Sequence, residues 1–167
     1  LGRPADAGVH YDTGLAIHRE AGDRRGEAVV LNSLGTLHWE QGRMGEARAH
    51  YEAALAIHRE DGNRLLEGFV LDDLGVVHKE QGRLEAAREH YESALAIHRE
   101  VGNQRGEASA LGRLGILHME QGRMGEARQH YECALTICRE LGNGPGEGRI
   151  LGYLGGIHSV EGRMDEA

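Results

Sequence analysis

The sequence predicts an all-α protein, a solenoid of about eight helices arranged as antiparallel pairs. Three observations support this fold class. A pattern with a period of 40 residues recurs along the 167-residue chain, most clearly in the ranges 31–60, 71–100 and 111–140. In each copy, apolar residues recur at i, i+3, i+4 and i+7, which is the spacing of one helix face. Glycine stands where each predicted helix must end.

Each period contains two predicted helices, which we name helix A and helix B. In the period 22–61, Gly22 ends the preceding helix and Asp23 is the expected N-cap of helix A. Asparagine takes the place of Asp23 in the later copies, at Asn63, Asn103 and Asn143. Helix A is predicted over residues 24–41 and helix B over 44–60. Neither helix can bury its apolar face alone, so each must pack on its partner and on the next period.

The periods divide the chain into one repeat array over residues 1–167. Segment 1–21 is a helix B without its helix A, the segments 22–61, 62–101 and 102–141 are full repeats, and 142–167 is a partial repeat. The last segment is expected to contain a helix A over about 147–161, followed by the start of a helix B. Because the pattern is cut at both ends, we expect the chain to be part of a longer array.

Composition argues against two classes of partner. The net charge is −8, and a nucleic-acid binder needs a basic surface, so neither nucleic acid nor an RNA-reading function is expected. No run of about 18 apolar residues occurs, so no membrane span is expected. Cys133 and Cys138 lie on one predicted helix and point to different sides of it. We interpret them as free thiols, which indicates a reducing compartment and a cytoplasmic location.

The histidines are the residues that most invite a metal-binding interpretation. All 11 fall into three repeat columns: His38, His78, His118 and His158; His10, His50, His90 and His130; and His18, His58 and His98. Successive copies should lie about 10 Å apart, too far to share one ion. We therefore expect half-buried packing histidines and no metal site.

Other chemistry finds no support in the sequence. The acidic residues are expected on solvated faces, as in the columns of Glu52 and Glu60. The chain has no phosphate-binding loop after a strand and no nucleophile signature, so no catalytic residue and no cofactor are predicted.

The repeat resembles the tetratricopeptide repeat. Seven columns of the first full copy carry the resemblance: Leu31, Leu34, Gly35 and His38 on helix A, and Ala47, Tyr51 and Ala54 on helix B. The period is 40 residues rather than about 34, and histidine replaces an aromatic residue at His38. The longer period is similar to that of kinesin light chain and of bacterial regulatory proteins with extended repeats. The resemblance implies a right-handed superhelix and a non-catalytic protein–protein interaction scaffold.

The resemblance also implies that one arc of helix A lines a concave groove for a peptide or partner protein. These positions differ between copies, unlike those that form the core. The expected groove residues are Val29, Asn32, Thr36 and Trp39; Phe69, Asp72, Val76 and Lys79; Ser109, Gly112, Ile116 and Met119; and Arg149, with Gly152, Gly156 and Ser159. Alternatively, these side chains pack on the neighbouring helix A or simply lie on the surface. The family's two-carboxylate clamp is not expected, because Asp72 and the row Glu40, Glu80 and Glu120 oppose it.

A structural role is the rival hypothesis. The first helix B, near residues 4–20, and the last helix A, near 147–161, lack their partners in the sequence. One chain could stack on another through these two helices, giving head-to-tail assembly.

Overall fold

The computed structural model describes the backbone of residues 4–165 and the side chains of residues 7–160. Over this range it contains eight helices and no strand, which confirms the predicted all-α fold class. The helices are α1 (Pro4–Glu20), α2 (Arg24–Glu40), α3 (Met44–Glu60), α4 (Arg64–Glu80), α5 (Leu84–Glu100), α6 (Gln104–Glu120), α7 (Met124–Glu140) and α8 (Gly144–Asp165). The even-numbered helices are helices A, and the odd-numbered ones are helices B.

The predicted helix ends are confirmed by cap geometry. Gly22 and Gly42 have φ angles of 67° and 72°, in the left-handed region where a Cβ would be strained. The side-chain oxygen of Asp23 accepts a hydrogen bond from the backbone N–H of Gly26 at 3.0 Å. Asn103 accepts from Gly106 in the same way, at 3.1 Å. Each helix A therefore starts at an Asx cap, as its sequence predicts.

The last helix differs from the prediction. A helix A ending near residue 161 and the start of a helix B were expected, but α8 continues without interruption from Gly144 to Asp165. Gly162 lies inside this helix, whereas Gly42, in the same column, makes a turn. A glycine permits a turn but does not force one. Among the described residues no helix B follows α8 to pack on it, so no tertiary contact offsets the cost of ending the helix.

The chain divides into two compact units, Leu1–His90 and Tyr91–Ala167. In the first unit, α1 packs on α2, α2 on α3 and α3 on α4. In the second unit, α6 packs on α7 and α7 on α8. Within each unit these consecutive helices pack on one another, which gives the antiparallel pairs that the repeat predicts.

A tyrosine ring on a bare glycine forms the centre of the helix A–helix B interface. A Cβ added to Gly35 would lie 2.6 Å from Cδ1 of Tyr51, and one added to Gly115 would lie 2.5 Å from Cε1 of Tyr131. Tyr131 also contacts the following repeat, because its ring stacks on that of Tyr153 with 5.1 Å between centroids. The tyrosine therefore joins its own repeat to the next.

We predict that Gly35→Ala lowers the free energy of unfolding by about 1–3 kcal/mol, because the new methyl group must displace the buried Tyr51 ring. Gly45→Ala is the matched control, since a Cβ at Gly45 meets no atom within 4 Å. The control should be as stable as the wild type or slightly more so. Urea unfolding followed by circular dichroism measures both, and equal midpoints for the two variants would contradict the prediction.

Candidate functional site

The predicted groove residues lie on two surfaces, one in each unit. We name as the first arc Val29, Asn32, Thr36 and Trp39 on α2 with Phe69, Asp72, Val76 and Lys79 on α4. The second arc comprises Ser109, Gly112, Ile116 and Met119 on α6 with Arg149, Gly152, Gly156 and Ser159 on α8. On the other side of the same helices, the leucines in the columns of Leu31 and Leu34 are buried in the full repeats. Most positions of the arcs thus lie on the side of helix A that faces away from the core of the pair.

The first arc presents large apolar side chains to solvent. Val29 is 55% exposed, Phe69 42% and Trp39 37%. Trp39 and Phe69 are the chain's only tryptophan and its only phenylalanine. Leu65, one turn before Phe69 on α4, is also exposed. An exposed group of this kind is typical of a surface that a partner covers.

Two residues of the first arc are engaged in the fold itself. Asp72 is only 4% exposed, so its carboxylate is not open to the surface as the groove hypothesis assumes. The Thr36 hydroxyl lies 3.1 Å from the Tyr51 hydroxyl and also donates to the carbonyl of Asn32 at 3.2 Å. Thr36 therefore helps to hold the tyrosine at the centre of its repeat.

The second arc contains a cavity of about 200 Å³ between α6 and α8. It brings together Ser109, Gly112, Ile116 and Arg149, whereas Met119, Gly152, Gly156 and Ser159 do not line it. Its other lining residues are Ala108, Arg113, Ile150 and Tyr153. Arg113 and Tyr153 were not among the site residues predicted from the sequence. Their column reads Ser33, Asp73, Arg113, Tyr153, and this free variation was the available signal.

Comparison with family models identifies the repeat. The tetratricopeptide repeat model matches residues 1–60, 28–100 and 106–167. The chain belongs to the tetratricopeptide repeat family. A sequence search among curated proteins finds no match.

Solved structures of tetratricopeptide-type arrays superimpose on this chain. BtubC (BKLC) from P. vanneervenii has a TM-score of 0.80 at 23% identity, covering 99% of this chain and 72% of its own. The putative kinesin light chain with nearly identical TPR-like repeats from Podosopora anserina has a TM-score of 0.78 at 16% identity, covering 98% and 81%. The N-terminal domain of stress-induced protein-1 from C. elegans has a TM-score of 0.62 at 18% identity, covering 78% and 96%. These similarities support the tetratricopeptide fold.

An arginine–glutamate ion pair recurs at the junctions between the repeats of this chain, and it was not predicted from the sequence. Arg19 Nε lies 2.9 Å from the carboxylate of Glu27, and Arg59 Nε lies 2.8 Å from that of Glu67. The pairs Arg99–Glu107 and Arg139–Glu147 have the same geometry in the second unit.

The junction pairs correct the expectation that the acidic residues lie on solvated faces. Glu27 and Glu67 are buried. The hydrogen bond from Arg19 lowers the pKa of the Glu27 carboxyl, with further help from Arg24. The signal was the fixed spacing of eight residues between arginine and glutamate in all four copies.

Two of the three histidine columns, those of His38 and His50, contact each other in pairs. His38 stacks on His50, His78 on His90 and His118 on His130, with ring centroids 5.0–5.1 Å apart. His58, His78, His98 and His118 are buried, which confirms their assignment as packing residues. Among residues 7–160, no cluster of three or more histidine, cysteine or acidic side chains is arranged to hold a metal ion.

Burial lowers the pKa of several of these imidazoles. For His50, His90 and His130 the loss of solvation is the main cause, and the positive charge of the stacked partner adds to it. Burial also lowers the pKa of His58 and of His78.

The two cysteines are free thiols, as predicted. Cys133 is exposed and Cys138 is buried, and the two are not joined by a disulfide. In the part of the chain that the structure describes, no helix is both long and apolar enough to cross a bilayer.

We predict that the free energy of unfolding falls between about pH 7.5 and about pH 5.5. A lowered pKa in the folded state means that the unfolded chain, with an imidazole pKa of about 6.5, binds protons more readily. The stabilisation is therefore present above that value and is lost as the pH falls below it. Urea midpoints at both pH values measure the change.

A variant pair tests the origin of this pH dependence. His90→Gln removes one member of a half-buried stacked pair and should flatten the dependence. Gln129→Ala changes an exposed residue that does not titrate and should leave the pH dependence as in the wild type. An unfolding midpoint that does not change over this range would rule out the explanation.

Proposed function

We propose that this tetratricopeptide array is a non-catalytic protein–protein interaction module in which each helix-A arc is a surface for a peptide segment of a partner protein. The family assignment supports the class of function. The observation that carries the proposal is the exposure of Val29, Trp39 and Phe69 on the first arc, while the core leucines of the same helices are buried.

The energetics favour coverage of this surface. Burial of apolar area contributes roughly 25 cal/mol per Å², so a ligand that covers two aromatic rings gains affinity from each. Aromatic side chains are also the residues that dominate binding energy at interfaces. Polar neighbours, such as Asn32 and Lys79, would orient the ligand by hydrogen bonds.

We predict that the double variant Trp39→Ala, Phe69→Ala binds a peptide selected on the wild-type protein about tenfold more weakly, or worse. The peptide comes from a random-sequence display library, and fluorescence anisotropy measures its Kd. Because Trp39 is the only tryptophan, its emission should also shift to shorter wavelength when the peptide covers it.

Val101→Ala is the matched control for this experiment. Val101 is an exposed apolar residue, but it lies in the turn between α5 and α6 and not on an arc. Its variant should bind like the wild type. Unchanged affinity of the double variant, with unchanged helicity, would argue against the first arc as the binding surface.

We also propose, as a second candidate function, head-to-tail assembly through α8. Leu151 is 44% exposed, whereas Leu31, Leu71 and Leu111 in the same column are 2% exposed. A Cβ at Gly155 meets no atom within 4 Å, so the place that tyrosine takes over Gly35 is open on α8. This face would accept a helix B, either from a following repeat or from another copy.

We predict for this second function that the mass measured by light scattering rises with protein concentration. Leu151→Asp should abolish the rise, because it places a charge where a helix B must pack. Glu140→Asp, which changes an exposed residue at the end of α7, is the control. A constant monomer mass at all concentrations would exclude assembly by this route.

A further inference from the structure

We infer that the cavity between α6 and α8 is a subsite for one acidic side chain, aspartate or glutamate, of the bound peptide. The inference rests on the proposed function, since it specifies one residue of the ligand. Three observations support it: the shape of the cavity, the charge of its lining, and the buried hydroxyl group of Tyr131, whose ring stacks on the lining residue Tyr153.

The cavity exists because glycine replaces a larger residue. Its column reads Asn32, Asp72, Gly112 and Gly152 along the chain. A Cβ at Gly112 would lie 3.5 Å from Cδ1 of Ile150, an ordinary contact, so a longer side chain there would extend into the cavity. The volume of about 200 Å³ is several times the roughly 30 Å³ share of a water molecule. It is therefore suited to a side chain rather than to a secondary-structure element.

The charge of the lining selects an anion. Arg113 and Arg149 both line the cavity, and its eight lining residues include no carboxylate. The Arg113 guanidinium carbon lies 5.9 Å from the centroid of the Tyr91 ring, which restrains its direction. Guanidinium groups remain protonated and match the two oxygens of a carboxylate.

A buried hydroxyl lies next to the lining. Tyr131 is fully buried, and its hydroxyl has no hydrogen-bond partner among the residues that the structure describes. In the first full repeat the Tyr51 hydroxyl meets Thr36, but Ile116 takes that place here and lines the cavity. The Tyr131 ring also stacks on Tyr153, another lining residue. Because an unsatisfied buried donor is costly, an acceptor oxygen that enters between Ile116 and Tyr153 would be favoured.

The apolar part of the lining and the rest of the arc favour an internal side chain over a chain terminus. Ala108, Ile116 and Ile150 would contact the methylene groups of glutamate or an adjacent aliphatic residue. Gly152 and Gly156, farther along α8, supply no side-chain donors for a second carboxylate. A basic ligand side chain would be repelled by the two arginines.

Methyl NMR of the 167-residue chain tests the subsite with two defined probes. Acetyl-Leu-Glu-Leu-amide should shift the methyl signals of Ala108, Ile116 and Ile150 saturably. The isosteric acetyl-Leu-Gln-Leu-amide should bind about tenfold more weakly, because it lacks the charge. Two further arms, inorganic phosphate and the peptide acetyl-Leu-Leu with a free C-terminus, distinguish other sources of an anion.

Two variants replace a lining residue by the residue at the equivalent position of another repeat. Gly112→Asn introduces the residue of Asn32 and should fill the cavity. Arg149→Ser introduces the residue of Ser109 and removes one positive charge. Each should reduce binding of the glutamate probe to the level of the glutamine probe. Arg105→Ser, an exposed arginine of α6 outside the cavity, should leave both probes unchanged.

Several results would overturn the inference. They are equal binding of the two peptides, no shift with either, insensitivity to Gly112→Asn and Arg149→Ser, or equally strong binding of phosphate or of the free C-terminus. Failure of the subsite is distinguishable from failure of the proposed function. If display-selected peptides still depend on Trp39 and Phe69, the arc binds peptide and only the acidic subsite is wrong.

Discussion

The contact between a tyrosine ring and a bare glycine is the constraint on which the rest of this structure depends. Tyr51 lies on Gly35 at a distance that admits no methyl group, and Tyr131 lies on Gly115 in the same way. The contact fixes how closely helices A and B approach. Buried alanines, such as Ala47 and Ala54, extend the close approach along the pair. Because the pair is held from this side, most residues of the opposite arc of helix A are not needed to hold it together.

This division of labour explains why the arcs differ while the pairs do not. Side chains on the arc can change without opening the helix pair, so one unit presents exposed aromatics and the other a cavity with two arginines. The division is not complete, however. Thr36 is an arc residue whose hydroxyl lies within hydrogen-bond distance of the Tyr51 hydroxyl. In the third full repeat Ile116 stands at the equivalent position, and the Tyr131 hydroxyl has no hydrogen-bond partner among the described residues. Variation on the arc thus changes the hydrogen bonding of the buried tyrosine hydroxyl.

The sequence was sufficient for features that depend on one helix at a time. Helix ends, Asx caps and the buried leucine columns follow from spacing, because local geometry determines them. Features that need two helices were missed. The histidine stacks and the Arg19–Glu27 pair join columns of different helices, and each column was interpreted alone. The cavity was missed because an empty volume depends on Gly112 and on Ile150, 38 positions later. The turn expected near Gly162 failed for a related reason: it needs a second helix to pack on α8 after the turn, and none follows α8 among the described residues.

The repeated junction pair has a consequence for how such arrays change in length. Each junction joins an arginine at the end of helix B to a glutamate at the start of the next helix A, in the same geometry. Every end is therefore chemically compatible with every start. A duplication or deletion of one 40-residue unit in the gene would leave each remaining junction with a matched arginine and glutamate. The number of repeats can then vary by recombination without any new interface having to evolve.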